Sequence, residues 1–133
     1  MGVSFSLYAA TIPSYRQILG AVADLLGKAE AFCAEKGVAP REIIEARLAP
    51  DMLPFAYQVK STAVHSLGAI EGVRRGVFSP DTTTPPDSFA ALAARIAQAI
   101  LGVADEQSAA VTHEQSAQVA DEKTVGMADE QSA

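Results

Sequence analysis

The stretch RLAPDMLPFAYQV, residues 47–59, decides the fold because it fixes where a long helix begins. Pro50 biases the residue before it away from helical geometry, and Asp51 can accept hydrogen bonds from the first free backbone N–H groups of a helix. Pro54 then falls in the first turn, where no N–H donor is needed. These features predict a helix that starts here and continues to about Arg75, where two arginines precede a glycine.

The predicted helix places its apolar side chains at intervals of three and four residues, which is the spacing of one helix face. These residues are Met52, Phe55, Val59, Ala63, Leu67, Ile70 and Val73. At the joint before the helix, Arg47 lies four residues from Asp51, so a local ion pair is expected. A short helical turn is expected over residues 40–48.

A first helix is predicted over residues 14–36, because Pro13 and a threonine two residues before it are typical of a helix start. Gly37 predicts its end as a C-terminal cap. One continuous apolar face is expected from Tyr15, Ile18, Leu19, Val22, Leu25, Leu26, Ala29, Phe32 and Cys33. Gly20 and Gly27 each cost a helix about 1 kcal/mol relative to alanine, and a close approach of another helix would explain them.

A third helix is predicted from the segment FAALAARIAQAIL, residues 89–101, with Asp87 or Ser88 as its cap and Gly102 as its end. Its apolar stripe consists of Phe89, Leu92, Ile96 and Ile100. No alternating strand pattern competes with these helices. The predicted fold is therefore all-α, an up-down helical bundle with three recognisable long helices.

Composition divides the 133 residues into two parts at Gly102. All eight aromatic residues, all seven prolines and the single cysteine lie before it. Residues 1–102 carry nine cationic and nine acidic side chains, whereas residues 103–133 carry one lysine and seven acids. The net charge of -6 thus belongs to the second part, and the sequence predicts a bundle core over 1–102 followed by an acidic tail over 103–133.

The tail is a tandem repeat with a period of eight residues: VADEQSAA, VTHEQSAQ, VADEKTVG and MADEQSA. Eight residues advance a helix by about 80° beyond two full turns, so the first apolar residue of each repeat winds around the axis. No apolar stripe results. We expect an acidic low-complexity segment that is disordered or transiently helical.

Several classes of function are disfavoured by composition. The core has no cluster of cations beyond Arg74 and Arg75, and the tail would repel phosphates, so nucleic-acid binding is not expected. No run approaches the roughly 18 apolar residues of a membrane span, and one cysteine forms no internal disulfide, so the cytoplasm is the expected compartment. Gly2 lies in the hexapeptide at residues 1–6, which fits the N-myristoylation pattern. The apolar residues that follow Gly2 look like a segment that packs on the bundle.

The core resembles the domain-of-unknown-function family numbered nineteen ninety-three, a group related to the DinB/YfiT-like helical bundles. Three segments carry the resemblance: SLYAATIPSYRQIL at residues 6–19, KAEAFCAEKGV at 28–38 and, above all, EARLAPDMLPFAYQV at 45–59. It covers roughly residues 4–101. The resemblance implies an up-down four-helix bundle whose last helix is rich in Phe, Tyr and His, and the repeat stands where that helix is expected.

A bundle that lacks its fourth helix exposes an apolar groove, so we expect a homodimer or a helical partner to cover it. The resemblance also implies a divalent-metal site built from three histidines. Only His65 stands on the matching helix, and His113 lies inside the repeat, so no metal site and no cofactor are expected, with His65 the one plausible ligand.

Each of the remaining candidate site residues has a structural role as the alternative to a functional one. Arg47 with Asp51 would bind a polar ligand or serve as a cap and a local ion pair, while Tyr57 and Gln58 would line a pocket between helices or fill the core. Cys33 stands near a helix C-terminus, which disfavours a thiolate, so no catalytic residue is predicted.

Three functions remain open at this point. The first is a non-catalytic binding or interaction module. The second is a metal-dependent or thiol-dependent transferase or hydrolase of the DinB-like kind. The third is a truncated product of a gene for such a protein. The enzyme would need more metal ligands than His65 supplies.

Overall fold

A computed structural model describes residues 6–106 of the chain, and this part is all-α, as predicted. Five helices and no strands are present in residues 6–106. They are α1 (Leu7–Lys36), α2 (Pro40–Ile44), α3 (Phe55–Val64), α4 (Leu67–Arg75) and α5 (residues 89–106, where the description ends). The predictions for Gly2 and for the repeat beyond 106 lie outside the described residues.

The start of α1 lies seven residues before the predicted one, so the assignment of Pro13 to the helix start is wrong. Ser6 is the N-cap, and its hydroxyl accepts a hydrogen bond from the backbone N–H of Ala9 at 3.1 Å. Pro13 lies inside the helix, and Thr11 donates its hydroxyl to the carbonyl four residues earlier instead of capping. The burial of Ile12 stabilises this extra segment against the loss of one backbone hydrogen bond at the proline.

The apolar face of α1 consists of two rows, and only one of them is buried. The buried row repeats every seven residues: Ile12, Leu19, Leu26 and Cys33. The second row, Ile18, Leu25 and Phe32, has the same spacing, and its side chains are 55%, 47% and 46% exposed. The prediction of one continuous core-facing stripe is therefore only half right, because the neighbouring helices cover just one side of it.

The predicted second long helix is interrupted at residues 65–66, which separates α3 from α4. Ser66 is buried, and its hydroxyl donates to the carbonyl oxygens of Thr62 at 2.6 Å and Ala63 at 3.2 Å. Serine side chains compete in this way for helix carbonyls, which explains the break. The helical turn α2 also ends four residues earlier than predicted.

The direction of α5 follows from its contacts with α3 and α4. Near the start of α5, Arg95 approaches Asp81, which in turn binds Lys60 of α3. At its far end Glu106 pairs with Arg74 of α4. Helix α5 therefore runs parallel to α3 and α4. This is possible because the segment between α4 and α5 leads back along α3. The strict up-down order holds for α1 and α3 only.

Helix α5 is capped as predicted but ends later than predicted. The hydroxyl of Ser88 accepts a hydrogen bond from the N–H of Ala91 at 3.1 Å, which confirms Ser88 as the cap. The prediction that the helix ends at Gly102 is wrong, because residues 103–106 are helical and Val103 is fully buried. The division into a core and a tail stays a prediction.

Close helix approach occurs at Gly102 and not at the glycines of α1. A Cβ atom added at Gly102 would lie 2.5 Å from Cδ1 of Leu67 on α4, whereas one added at Gly20 or Gly27 would meet nothing within 4 Å among the described residues. Within residues 6–106 no helix approaches Gly20 or Gly27, so the expectation for these two glycines stays a prediction. Gly102 is the position where α4 and α5 need the absence of a side chain.

We predict that Gly102→Ala and Gly27→Ala change stability in opposite directions. At Gly102 the overpacking against Leu67 costs about 1–3 kcal/mol, which outweighs the gain in helix propensity. At exposed Gly27 only the propensity gain of about 1 kcal/mol remains. Urea unfolding of both variants, followed by circular dichroism, checks this. Stabilisation by both substitutions would show that the α4–α5 contact is not tight.

Candidate functional site

The structure brings only two of the five predicted site residues together. Arg47 and Gln58 line the same apolar cleft between α1 and α3. Asp51 is exposed and lies outside that cleft, while Tyr57 lies beside Lys60, whose Nζ is 4.7 Å from the centre of the Tyr57 ring. His65, also exposed, contacts the ring of Phe78 in a tilted arrangement, with ring centroids 5.9 Å apart and an angle of 57° between the ring planes. The ligand-binding role of these residues stays a prediction.

Arg47 and Gln58 hold the segment between α2 and α3 in place. Arg47 Nη1 donates to the Met52 carbonyl oxygen at 2.9 Å, and within residues 6–106 the expected ion pair with Asp51 is not present. Gln58 Nε2 donates to the Leu53 carbonyl oxygen at 3.1 Å. Asp51 does not cap α3 either, because Pro54 is the N-cap residue and no side chain among the described residues accepts its first N–H groups. The side chains of Arg47 and Gln58 thus both bind backbone carbonyl groups of this segment.

The cleft that they border has a volume of about 300 Å³ and an almost entirely apolar lining. Its apolar walls are formed by Val22, Leu25, Ile43, Met52, Leu53 and Phe55. We name it the upper cleft. Its rim also includes Leu48, which is 93% exposed, so a large apolar side chain stands in solvent beside an apolar opening.

A second apolar cleft of about 370 Å³ lies at the other end of the same groove, between the start of α1 and the end of α4. Its apolar walls come from Leu7, Tyr8, Tyr15, Ile70 and Val73. We name it the lower cleft. Arg74 and Glu106 form an ion pair at its edge. The groove between α1 and α3–α4 therefore has an opening at each end.

The exposed row of α1 lies along this groove. Leu25 contributes to the upper cleft, and Ile18 and Phe32 stand one heptad before and after it. Large apolar side chains that are scattered singly on a surface are ordinary, but a contiguous exposed patch marks an interaction site. Leu25 joins the row to the upper cleft and Leu48 lies at the rim of that cleft, so these residues form an apolar patch on one side of the bundle.

A polar cluster on the opposite side of α3 was missed by the sequence reading. Lys60 is 2% exposed, and its ammonium group donates to the carbonyl oxygens of Asp81 at 2.8 Å and Thr83 at 2.6 Å. It also contacts the Asp81 carboxylate at 3.3 Å. A buried charge requires such partners, because an unpaired one would cost several kcal/mol. The cluster fastens the segment between α4 and α5 to α3.

The carboxylate of Asp81 is stabilised in its ionised form. The Thr83 hydroxyl and then the Thr83 backbone N–H donate to it, and Lys60 adds a hydrogen bond and a positive charge. Together they lower the pKa of Asp81 from 3.8 to about 2, although partial burial acts in the opposite direction. The only sequence sign of this cluster was a lysine on a face where the spacing places core residues.

The residues considered for catalysis do not form a reactive arrangement in the described part of the chain. Cys33 is buried in the bundle core, near the C-terminal end of α1. Within residues 6–106, no three His, Cys, Asp or Glu side chains are placed so that they could hold a metal ion. His113 lies outside the described residues. In the same range, no helix has the length and apolar character needed to cross a bilayer.

Comparison with protein families gives one match. A family model described as a domain of unknown function, DUF1993, matches residues 7–132. The match extends into the repeat, well beyond the limit near residue 101 that the sequence resemblance suggested. Comparisons with curated proteins and with solved structures gave no match.

We predict that Lys60→Ala lowers the free energy of unfolding by about 2–3 kcal/mol, because it leaves the Asp81 carboxylate without its buried cation and opens a space in the core. Lys28→Ala, at an exposed lysine of α1, is the matched control and should stay within about 0.5 kcal/mol. Amide hydrogen exchange at Thr83 should accelerate in the first variant only. Equal exchange in both variants would show that Lys60 does not hold this segment.

We predict a specific pH dependence for Asp81→Asn. Because the folded pKa is depressed, the ionised carboxylate stabilises the fold above the unfolded value of 3.8, and this contribution is lost as the pH falls toward about 2. The difference in unfolding free energy between wild type and variant should be constant near neutral pH and shrink across that window. Asp24→Asn, on the exposed surface of α1, controls for the loss of a negative charge. A difference independent of pH would contradict the assignment.

Proposed function

The chain belongs to the DUF1993 family, whose function is not assigned, and from its surface we propose that it is a non-catalytic interaction module that binds a second copy of itself. The observation that carries the proposal is the second heptad row of α1. Ile18, Leu25 and Phe32 are each about half exposed, and Leu25 lines the upper cleft. A homodimer would remove this patch from water.

The row is suited to pairing with itself. Its residues repeat every seven positions, as they do along the seam of two paired helices. In an antiparallel pair centred on Leu25, Ile18 of one copy lies opposite Phe32 of the other, so a two-fold axis maps the row onto itself. Ala21 lies about 40–60° around the helix from Leu25 and Ile18 and is exposed, and its small side chain allows the two backbones to approach.

The upper cleft offers the second copy a place for one large apolar side chain. Leu48 stands at its rim and is 93% exposed, so the same contact can form twice in a symmetric dimer. Burial of a leucine side chain contributes about 1.5–3 kcal/mol, and a two-fold interface gains it twice. The dimer thus gives both the row and the cleft an apolar partner.

The competing occupant of the groove is the segment 107–133 of the same chain, which begins beside the lower cleft after Glu106. Its sequence is a poorer fit. Helix α1 has 30 residues and a length of about 45 Å, whereas the repeat offers one leading apolar residue per eight and turns by about 80° each time. A segment of this pattern covers a straight groove only at isolated points.

We also propose a DinB-like arrangement in which the second copy takes the place of the fourth helix. This is supported by the parallel course of α3–α4 and α5, which leaves one side of α1 without a neighbour. The cytoplasm stays the proposed compartment, on the basis of the single cysteine, which is free and buried. A metal-dependent or thiol-dependent enzyme is the weaker alternative, since no feature within residues 6–106 specifically favours it.

We predict that Leu25→Glu converts the full chain from a dimer to a monomer, because a carboxylate at the centre of the interface must be desolvated without a partner. Ala31→Glu is the matched control. It introduces the same side chain on the exposed surface of α1, about 120° around the helix from Leu25, and should leave the dimer intact. Size-exclusion chromatography with light scattering measures both, and circular dichroism verifies that both stay folded.

Two results would contradict the proposal. A wild-type chain that is monomeric at every concentration would assign the groove to residues 107–133 or leave it open. A dimer that survives Leu25→Glu and dissociates with Ala31→Glu would place the interface on another face of α1.

A further inference from the structure

A third cleft, on the other side of the bundle from the exposed row, has a different chemistry. It lies between α4, α5 and the segment that follows α4, and its volume is about 290 Å³. Leu67, Phe78 and Ala99 form its apolar part, and Arg75, Arg95 and Gln98 are among its polar residues. We name it the α4–α5 cleft. None of its side chains belongs to the exposed row or to the two apolar clefts.

The two arginines of the α4–α5 cleft differ in their partners. The Asp81 carboxylate is held by Lys60, and Arg95 Nη2 lies 3.6 Å from its second oxygen, so one carboxylate faces two cations. Arg75 forms no ion pair with any residue in the range 6–106. Glu71 is the one other carboxylate in the lining. The lining therefore contains two arginines and two carboxylates, and Arg75 is the arginine that no ion pair within residues 6–106 engages.

The apolar wall of the cleft is fixed in position by its surroundings. Phe78 packs closely on Gly72, where an added Cβ atom would lie 3.0 Å from the ring and would displace it by a few tenths of an ångström. The ring of His65 contacts Phe78 at an angle of 57°. Lys60 fastens the residues that follow Phe78 to α3. A wall held in this way needs little reorganisation to receive a ligand, which lowers the cost of binding.

From these observations we infer that the α4–α5 cleft binds a small organic acid: a carboxylate attached to an apolar body such as a ring. Guanidinium groups bind carboxylates through paired hydrogen bonds, and Arg75 and Arg95 approach the cleft from two different helices. The apolar body packs against Leu67 and Phe78. The volume of about 290 Å³ is close to the lower limit of about 300 Å³ for small-molecule sites.

The experiment uses the full chain, labelled with ¹⁵N, and follows amide shifts during titration with benzoate. Benzamide has the same shape without the charge, and inorganic phosphate has charge without an apolar body. The variants are Arg75→Gln and Arg95→Gln, with Arg41→Gln as the matched control, because Arg41 lies on α2 and pairs with Glu45. Arg75→Gln leaves the Asp81 cluster intact, so a loss of binding there does not reflect a loosened segment.

We expect saturable shifts at the amides of Leu67, Phe78 and Ala99 with benzoate, and weaker binding of benzamide and phosphate by about tenfold. Each variant at Arg75 or Arg95 should weaken benzoate by about fivefold or more, and Arg41→Gln should not. Three results would overturn the inference: no saturable shift in the cleft, equal binding of benzamide, or equal binding of phosphate. Shifts confined to the upper cleft would also overturn it.

Discussion

The structure depends on the burial of one heptad row of α1. Ile12, Leu19, Leu26 and Cys33 form a continuous strip on this 30-residue helix, and the buried side chains of α3 and α5 join them in a single core. Everything else is arranged around that strip: α2 covers its end, and the segment between α4 and α5 is fastened to the back of α3 by Lys60. A helix of this length carries more apolar surface than one side of a small bundle can cover. The exposed row beside the strip is the consequence, and it is the reason for proposing an interaction module.

The two sides of α3 and α4 have opposite characters, and this separates the two proposed activities. Toward α1 the surface is apolar, with clefts of about 300 and 370 Å³ that suit large aliphatic and aromatic side chains. Toward α5 it is charged, and Arg75, Arg95 and Asp81 surround a cleft with a small apolar wall. The apolar side suits contact with a helix of another protein copy, whereas the charged side suits a small anion. The two sites share no residue, so either can be lost without removing the other.

Local signals in the sequence predicted the elements that depend on neighbouring residues only. Gly37 caps α1 with a left-handed backbone, Ser88 caps α5, and the stripe of α5 from Phe89 to Ile96 is buried. Features that depend on distant residues were not predictable. Lys60 finds its partners 21 and 23 positions away, on a segment whose path no local pattern specifies. Similarly, the spacing of apolar residues in α1 does not distinguish between its two heptad rows. Only the position of the other helices decides which row is buried. For the same reason, the pairing of Arg47 with Asp51 was expected from spacing but replaced by a bond to the Met52 carbonyl.

The central claim is that the exposed row of α1 is an interface between two copies of the chain. Sedimentation equilibrium of the full-length protein over a wide range of concentrations tests it most directly, because it reports mass without assumptions about shape. The account predicts a species with twice the chain mass of 13.8 kDa that dissociates on dilution. A single species of 13.8 kDa at all concentrations would contradict it and would leave the row without a second copy to cover it.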